Sequence, residues 1–148
     1  MDIRKIEVSE LDALLALYEH LHADDQPLPA RHQVETVWQT IMANPAHSCF
    51  GLYRDARLVA SCSISLVANL TLGCRPFALI ENVVTHTEHR GRGYGQALLV
   101  HAQHFAWAQD CYKVMLMTSS KDPATLRFYE SAGFDRYDKQ AFIAKPPL

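Results

Sequence analysis

The chain has no paired cysteine motif. Cys49, Cys62, Cys74 and Cys111 are scattered through 148 residues with no C-x-x-C among them. That pattern argues against a disulfide framework or a zinc site and for small buried thiols in a reducing compartment. Long apolar runs are missing, which excludes a membrane span. The opening stretch MDIRKIEVSE is charged where a secretory leader would be apolar, so the protein is expected to be cytoplasmic. Charge of one sign is also lacking. A net charge of −2 gives none of the strongly basic balance of a general nucleic-acid binder. There is no G-x-x-x-x-G-K-[ST] and no H-E-x-x-H, so neither a P-loop nor that zinc motif applies. Internal repeats, low-complexity segments and composition shifts are absent too. With 49% apolar and 20% charged residues, residues 1–148 are expected to form a single domain large enough for a proper core.

What is present reads as alternating strands and helices. IRKIEV alternates like a first strand. SELDALLALYEHL places Leu11, Leu14, Leu15, Tyr18 and Leu21 at helical spacing behind Ser9, an expected N-cap. Two prolines in HADDQPLPA break that helix, and RHQVETVWQTIMAN starts a second one that Asn44-Pro45 stops. SCFGLYR and RLVASCSISLV flank Asp55-Ala56 and suggest a hairpin. RPFALIENVVTH is a further strand-like run. A long helix from about Gly93 to Asp110 follows, then the short apolar strand KVMLMTS. DPATLRFYESAGF opens with Asp122 as N-cap and Pro123 at the first helical position, and ends on Gly133 as a C-cap. RYDKQAFIAK is expected to add closing strand. The order β-α-α-β-β-β-α-β-α-β makes an α/β domain with a mixed sheet.

The stretch HRGRGYGQALL is the most informative. Gly91, Gly93 and Gly95 stand at every second position directly ahead of a helix. Glycine costs conformational entropy, so the repetition needs a reason such as close backbone approach. Bare amides at a helix N-terminus favour an anion. A dinucleotide fingerprint, G-x-G-x-x-G, fails because its last position is Gln96. The pattern R-x-x-G-x-G is met by Arg90, Gly93 and Gly95, between a strand and a helix.

On ENVVTHTEHRGRGYGQALL, and on ATLRFYESAGF with Tyr129 ahead of Gly133-Phe134, the chain resembles the GNAT N-acetyltransferase superfamily. The two segments and the strand between them span Glu81 to Phe134. Family members often carry Asn and Ala where this chain has Asp122 and Thr125. Asp caps a helix but offers no amide donor.

The resemblance implies an acetyl-CoA-binding enzyme. The backbone from Gly91 through Arg92, Gly93, Tyr94 and Gly95 to Gln96 would hold the pyrophosphate, with Arg90 and Arg92 adding charge, the alternative for each being solvation or a partner elsewhere. The pantetheine arm would lie along Val83, Val84 and Thr85, and a backbone N–H near Val83 would polarise the thioester. Glu81, at the cleft end of an otherwise apolar strand where a carboxylate is expensive to bury without purpose, is the candidate general base, the alternative being an ion pair with Arg75. A base helps because a lysine-like amine costs roughly 4–5 kcal/mol to deprotonate at pH 7. Tyr129 is the candidate acid for the departing thiolate, the alternative being core packing, which is the expectation for Phe128.

No metal is expected, since His86, His89, His101 and His104 show no ligand spacing. His101 and His104 read as an exposed helical face. Cys111 has no support as an acyl carrier. Asp24 and Asp25 read as a solvated loop. The expected function is acetyl transfer to a primary amine of a small molecule by direct attack. A protein or peptide N-acetyltransferase and a non-catalytic acyl-CoA sensor are the alternatives. A homodimer is an expectation of the resemblance only.

Overall fold

A computed structural model describes residues 1–21 and 25–148, so Asp24 lies outside the described residues. His47–Arg54 (β2) and Arg57–Val67 (β3) form the expected hairpin, closing on the pair Arg54↔Arg57. The two turn residues Asp55 and Ala56 both take positive φ, 49° and 65°, which matches the turn that suits twisted strands. Asp2–Lys5 (β1) pairs antiparallel with β2, and Phe77–Thr85 (β4) pairs antiparallel with β3. Val114–Met115 (β5) runs parallel to β4, which completes a mixed sheet ordered β1-β2-β3-β4-β5.

Side-chain alternation divides the sheet between two cores. On one face Ala60, Cys62 and Ile64 of β3 are fully buried against Leu98, Leu99, Ala102 and Ala106 of Tyr94–Ala108 (α4). On the other, Cys49 of β2 packs with Ile6 and with Leu11 and Leu14 of Leu11–Tyr18 (α1). Trp38 of Arg31–Ala43 (α2) closes this second core and donates its indole N–H to the Val8 carbonyl at 2.9 Å. Asn44 ends α2 as expected.

The last helix, Pro123–Ser131 (α5), is specified at both ends. Asp122 Oδ1 accepts the Ala124 N–H at 2.9 Å. Gly133 takes φ +100°, while Gly133 N–H and Phe134 N–H return to the Glu130 and Tyr129 carbonyls, a Schellman ending. Gln96 and Gln103 on α4 donate to the Ser131 and Ala132 carbonyls at 2.8 and 2.7 Å. These side chains satisfy acceptors that a helix end otherwise leaves open.

Four sequence expectations change. Ser9 is not a cap: it lies inside a 3-10 turn, Val8–Glu10. Glu10 takes the capping part there, accepting the Glu7 N–H at 2.7 Å and a bidentate pair from Arg4. KVMLMTS contributes only Val114 and Met115 to the sheet. RYDKQAFIAK forms no strand. Residues 135–148 are exposed, because β5 is too short to offer them an edge within the chain. His101 is half-buried with its ring on Phe50, 5.0 Å between centroids, and only His104 is fully exposed. Leu70–Arg75 adds an unforeseen feature, the short turn Thr71–Cys74 (α3), in which Leu72, Gly73 and Cys74 all have positive φ.

An alanine in the left-handed region is strained. Ala56→Gly is therefore expected to raise stability by about 0.5–1 kcal/mol in urea unfolding, with unchanged secondary structure. An unchanged midpoint would mean that the turn relaxes in the native chain.

Candidate active site

Strand β4 changes register and loses a neighbour at one place. Ser63 pairs with Glu81 and Ser61 pairs with Val84, so Asn82 and Val83 together oppose Cys62. This is a β-bulge, with Asn82 at φ +54°. On the other edge, pairing with β5 stops at Leu79↔Met115, and the rest of β4 parts from its neighbour. A cavity of about 630 Å³ occupies the gap.

That cavity brings together most of the residues singled out from sequence. Val83, Val84 and Thr85 form one wall, and Tyr129 lies on the facing helix α5. Arg90, Gly91, Gly93, Tyr94, Gly95 and Gln96 form the end. Gly93 is the N-cap of α4 at φ +80°, and Gly91 has φ +75°. Among the described residues the N–H groups from Gly91 to Gln96 have no protein acceptor. They sit at the positive end of a 15-residue helix.

Gly95 has a different reason. A Cβ there would lie 2.8 Å from Phe128 Cζ, so Gly95 allows α5 to seat against α4. This confirms packing for Phe128, whose ring also lies 4.9 Å from that of Tyr129.

Of the two readings of the arginines, the protein contacts are these. Arg90 is a brace: Nε donates to the Thr85 carbonyl at 3.1 Å and a terminal nitrogen to the His20 carbonyl at 3.0 Å. It ties the loop to the end of β4 and to the segment after α1. Arg92 is exposed, does not line the cavity, and makes no ion pair among the described residues. Gln96 commits its side chain to Ser131, leaving its backbone N–H for a ligand. Asp122 is occupied as a helix cap and does not line the cavity; Thr125 does.

Tyr129 is half-buried and packs on the core while lining the cavity. Burial pushes its phenol above the usual tyrosine value, so it carries its proton at neutral pH. Glu81 is exposed rather than buried, which removes the cost of burial as an argument for its role. It is not held by Arg75, whose guanidinium instead meets Asp110 at 3.3 Å and the Cys111 carbonyl at 3.2 Å. By register, Glu81 shares a face with Ser63 and Cys49.

That face carries what the sequence reading missed. A second cavity of about 510 Å³ lies between α1, α2 and the sheet, with Cys49, Ser63 and Asn82 on its floor side. Tyr18, read only as part of a helical stripe, lines it, and burial raises its phenol beyond the usual range. Asn82 belongs to this cavity and Val83 to the first, so consecutive residues of the bulge line both. The one available signal was Asn82 itself, an amide inside an apolar strand.

The three buried cysteines offer no thiolate nucleophile. Burial pushes Cys49 up to about 11 and Cys62 up to about 12, and raises Cys111 as well, so each is a thiol at neutral pH. Among the described residues no group of three His, Cys, Asp or Glu side chains gathers as a metal site, and no helix is long and apolar enough to cross a membrane.

Comparison with known proteins agrees with this geometry. The profile of the acetyltransferase (GNAT) family matches residues 14–134. A glucosamine 6-phosphate N-acetyltransferase from Trypanosoma brucei brucei is 31% identical over 140 residues, which covers 95% of this chain and 92% of that one. A solved structure from Agrobacterium tumefaciens str. C58 superposes with TM-score 0.92 at 38% identity, covering 99% of this chain and all of that one. A Trypanosoma brucei acetyltransferase structure gives TM-score 0.80 at 27% identity, covering 97% and 99%. With a family match over residues 14–134 and relatives similar along nearly the whole chain, the chain belongs to the GNAT family as an acetyl-CoA-dependent N-acetyltransferase.

Proposed function

We propose that the protein transfers the acetyl group of acetyl-CoA to a primary amine of a small molecule, by direct attack in a ternary complex. The observation that carries this reading is a pair of cavities lined by consecutive residues of the β4 bulge, one ending on free backbone amides and the other lying between α1, α2 and the sheet. The first suits the cosubstrate and the second suits an acceptor. The second cavity, of about 510 Å³, has the size of a small-molecule site, and the Trypanosoma relative is itself named for a small amine.

The N–H groups of residues 91–96 hold the pyrophosphate. The free edge of β4 at Val83–Thr85 pairs with the pantetheine arm, and a backbone N–H near Val83 polarises the thioester carbonyl. The amine nitrogen attacks the carbonyl carbon and the C–S bond breaks. The amine proton passes to Glu81, directly or through water, and Tyr129 gives its proton to the departing thiolate. Tyr129 is already protonated and adjoins the cavity, which supports that role. Arg90 positions the loop, and Arg92 contributes only distant attraction. Free thiols at all four cysteines fit a reducing, cytoplasmic setting.

The homodimer is also a proposal. It is supported by the open edge of β5 and by the exposed residues 135–148, where Phe142 is 88% and Ile143 66% exposed. Sedimentation of the full chain is expected to give a dimer that Phe142→Lys weakens; a monomeric parent chain at micromolar concentration would exclude it.

Free thiol release with acetyl-CoA and a panel of amines tests the reaction itself. Acceptor-dependent release is expected. Cosubstrate binding without release by any acceptor would favour the sensor alternative. Gly93→Val forces a branched side chain into φ +80°, and is expected to weaken CoA binding by at least about tenfold with the circular dichroism spectrum retained. Retained affinity would remove the loop from cosubstrate binding. Glu81→Gln is expected to lower kcat roughly 10–100-fold, most at low pH where the amine is most protonated; an unchanged pH–rate profile would remove Glu81. Tyr129→Phe is expected to lower kcat with little change in the KM for acetyl-CoA, and an unaltered kcat would leave Tyr129 as packing alone.

A further inference from the structure

We infer that the acceptor is a monoamine with an apolar body, aryl-alkyl or branched alkyl, rather than a sugar phosphate or a polyamine sugar. This rests on the reading of the chain as an amine acetyltransferase and concerns only the second cavity. Leu14, Trp38 and Ile41 supply its walls from α1 and α2. Its rim is apolar as well, with Leu28 62% and Val37 59% exposed to solvent.

Charge is what the cavity lacks and what a sugar phosphate would need. Among the described residues no Lys or Arg lines it. His47, its one basic side chain there, shares its Nδ1 with Ser65 Oγ at 2.9 Å, and burial lowers its affinity for a proton. A phosphate dianion would give up water without a counter-charge. Several ammonium groups would meet the same obstacle, since no Asp or Glu lines the cavity among the described residues.

Apart from Gln33 on α2 and His47, the polar side chains of the lining are Tyr18 on α1 and, on the sheet, Cys49, Ser63 and Asn82. Ser63 already donates its hydroxyl to the Glu81 carbonyl at 3.1 Å. Tyr18 and Asn82 both line the cavity. Cys49, Ser63 and Glu81 form one cross-strand row on the same face, which carries the single carboxylate toward the bulge. One cationic head at the β4 end and an apolar body between α1 and α2 therefore match the distribution of charge.

The test uses the full chain with acetyl-CoA and follows thiol release with n-butylamine through n-heptylamine, phenethylamine, glucosamine 6-phosphate and sisomicin. The expected result is a kcat/KM that rises roughly threefold to fourfold per methylene along the series, with phenethylamine at least about tenfold above both sugars. A flat or falling series, or preference for either sugar, would overturn the inference while leaving the acetyltransferase reading intact.

A binding readout separates the two. In a Trp107→Phe background Trp38 is the remaining tryptophan, and phenethylamine is expected to change its emission saturably. Binding without turnover would support the cavity assignment and count against amine acetylation. Neither binding nor turnover would overturn both. Val37→Lys, at the exposed rim, is expected to raise the KM for phenethylamine at least about tenfold and leave the KM for acetyl-CoA unchanged; an unaltered phenethylamine KM would likewise overturn the inference.

Discussion

Strand β4 has β3 along its length but β5 only at Ala78 and Leu79. Much of the functional geometry follows from that shortage. Backbone N–H and C=O groups seek partners, so a strand left open beside a cavity is an invitation to an extended ligand. The bulge at Asn82–Val83 adds a local twist at the same place. It puts Asn82 on one cavity and Val83 on the other. A regular ladder with a longer β5 would close the gap.

The loop after β4 is held by a different set of forces. Its glycines solve two problems: Gly91 and Gly93 permit positive φ, whereas Gly95 clears space for Phe128. Arg90 donates to two protein carbonyls and keeps its charge beside the cavity, where it adds to the attraction of the backbone amides and the α4 dipole for an anion. The amides are fixed before any ligand arrives, because the brace, the Gln96 bond to Ser131 and the Gly95–Phe128 contact all immobilise the same turn. Preorganisation of this kind reduces the ordering cost of binding.

Local chemistry made much of this legible from sequence. The Asp55-Ala56 hairpin, the Asp122 cap, the Gly133 ending and the R-x-x-G-x-G loop each depend on a few neighbouring residues, and each is found where expected. The closing strand was not legible, because a strand exists only where another edge receives it, and RYDKQAFIAK has none within the chain. Arg90 looked like a charge for the ligand because its acceptors, Thr85 and His20, are brought to it only by folding. Glu81 looked buried because alternation shows which face a residue takes, not whether anything covers that face.

The second cavity shows the same limit from another side. Tyr18, Trp38 and Ile41 fall on helical stripes that read as core, and in large part they are core. Periodicity cannot distinguish an apolar stripe that meets another element from one that stops short and leaves a space. That space is decided by how α1 and α2 stand over β2, β3 and the bulge in β4. The cosubstrate side of the site is thus built from a short, repeated chemistry of glycines and amides. The second cavity, proposed for the acceptor, is built from packing left incomplete between helices and sheet, where a few side-chain changes would alter the ligand without altering the fold. Family membership therefore constrains the first far more tightly than the second, and chemical matching of the cavity is the route to the acceptor.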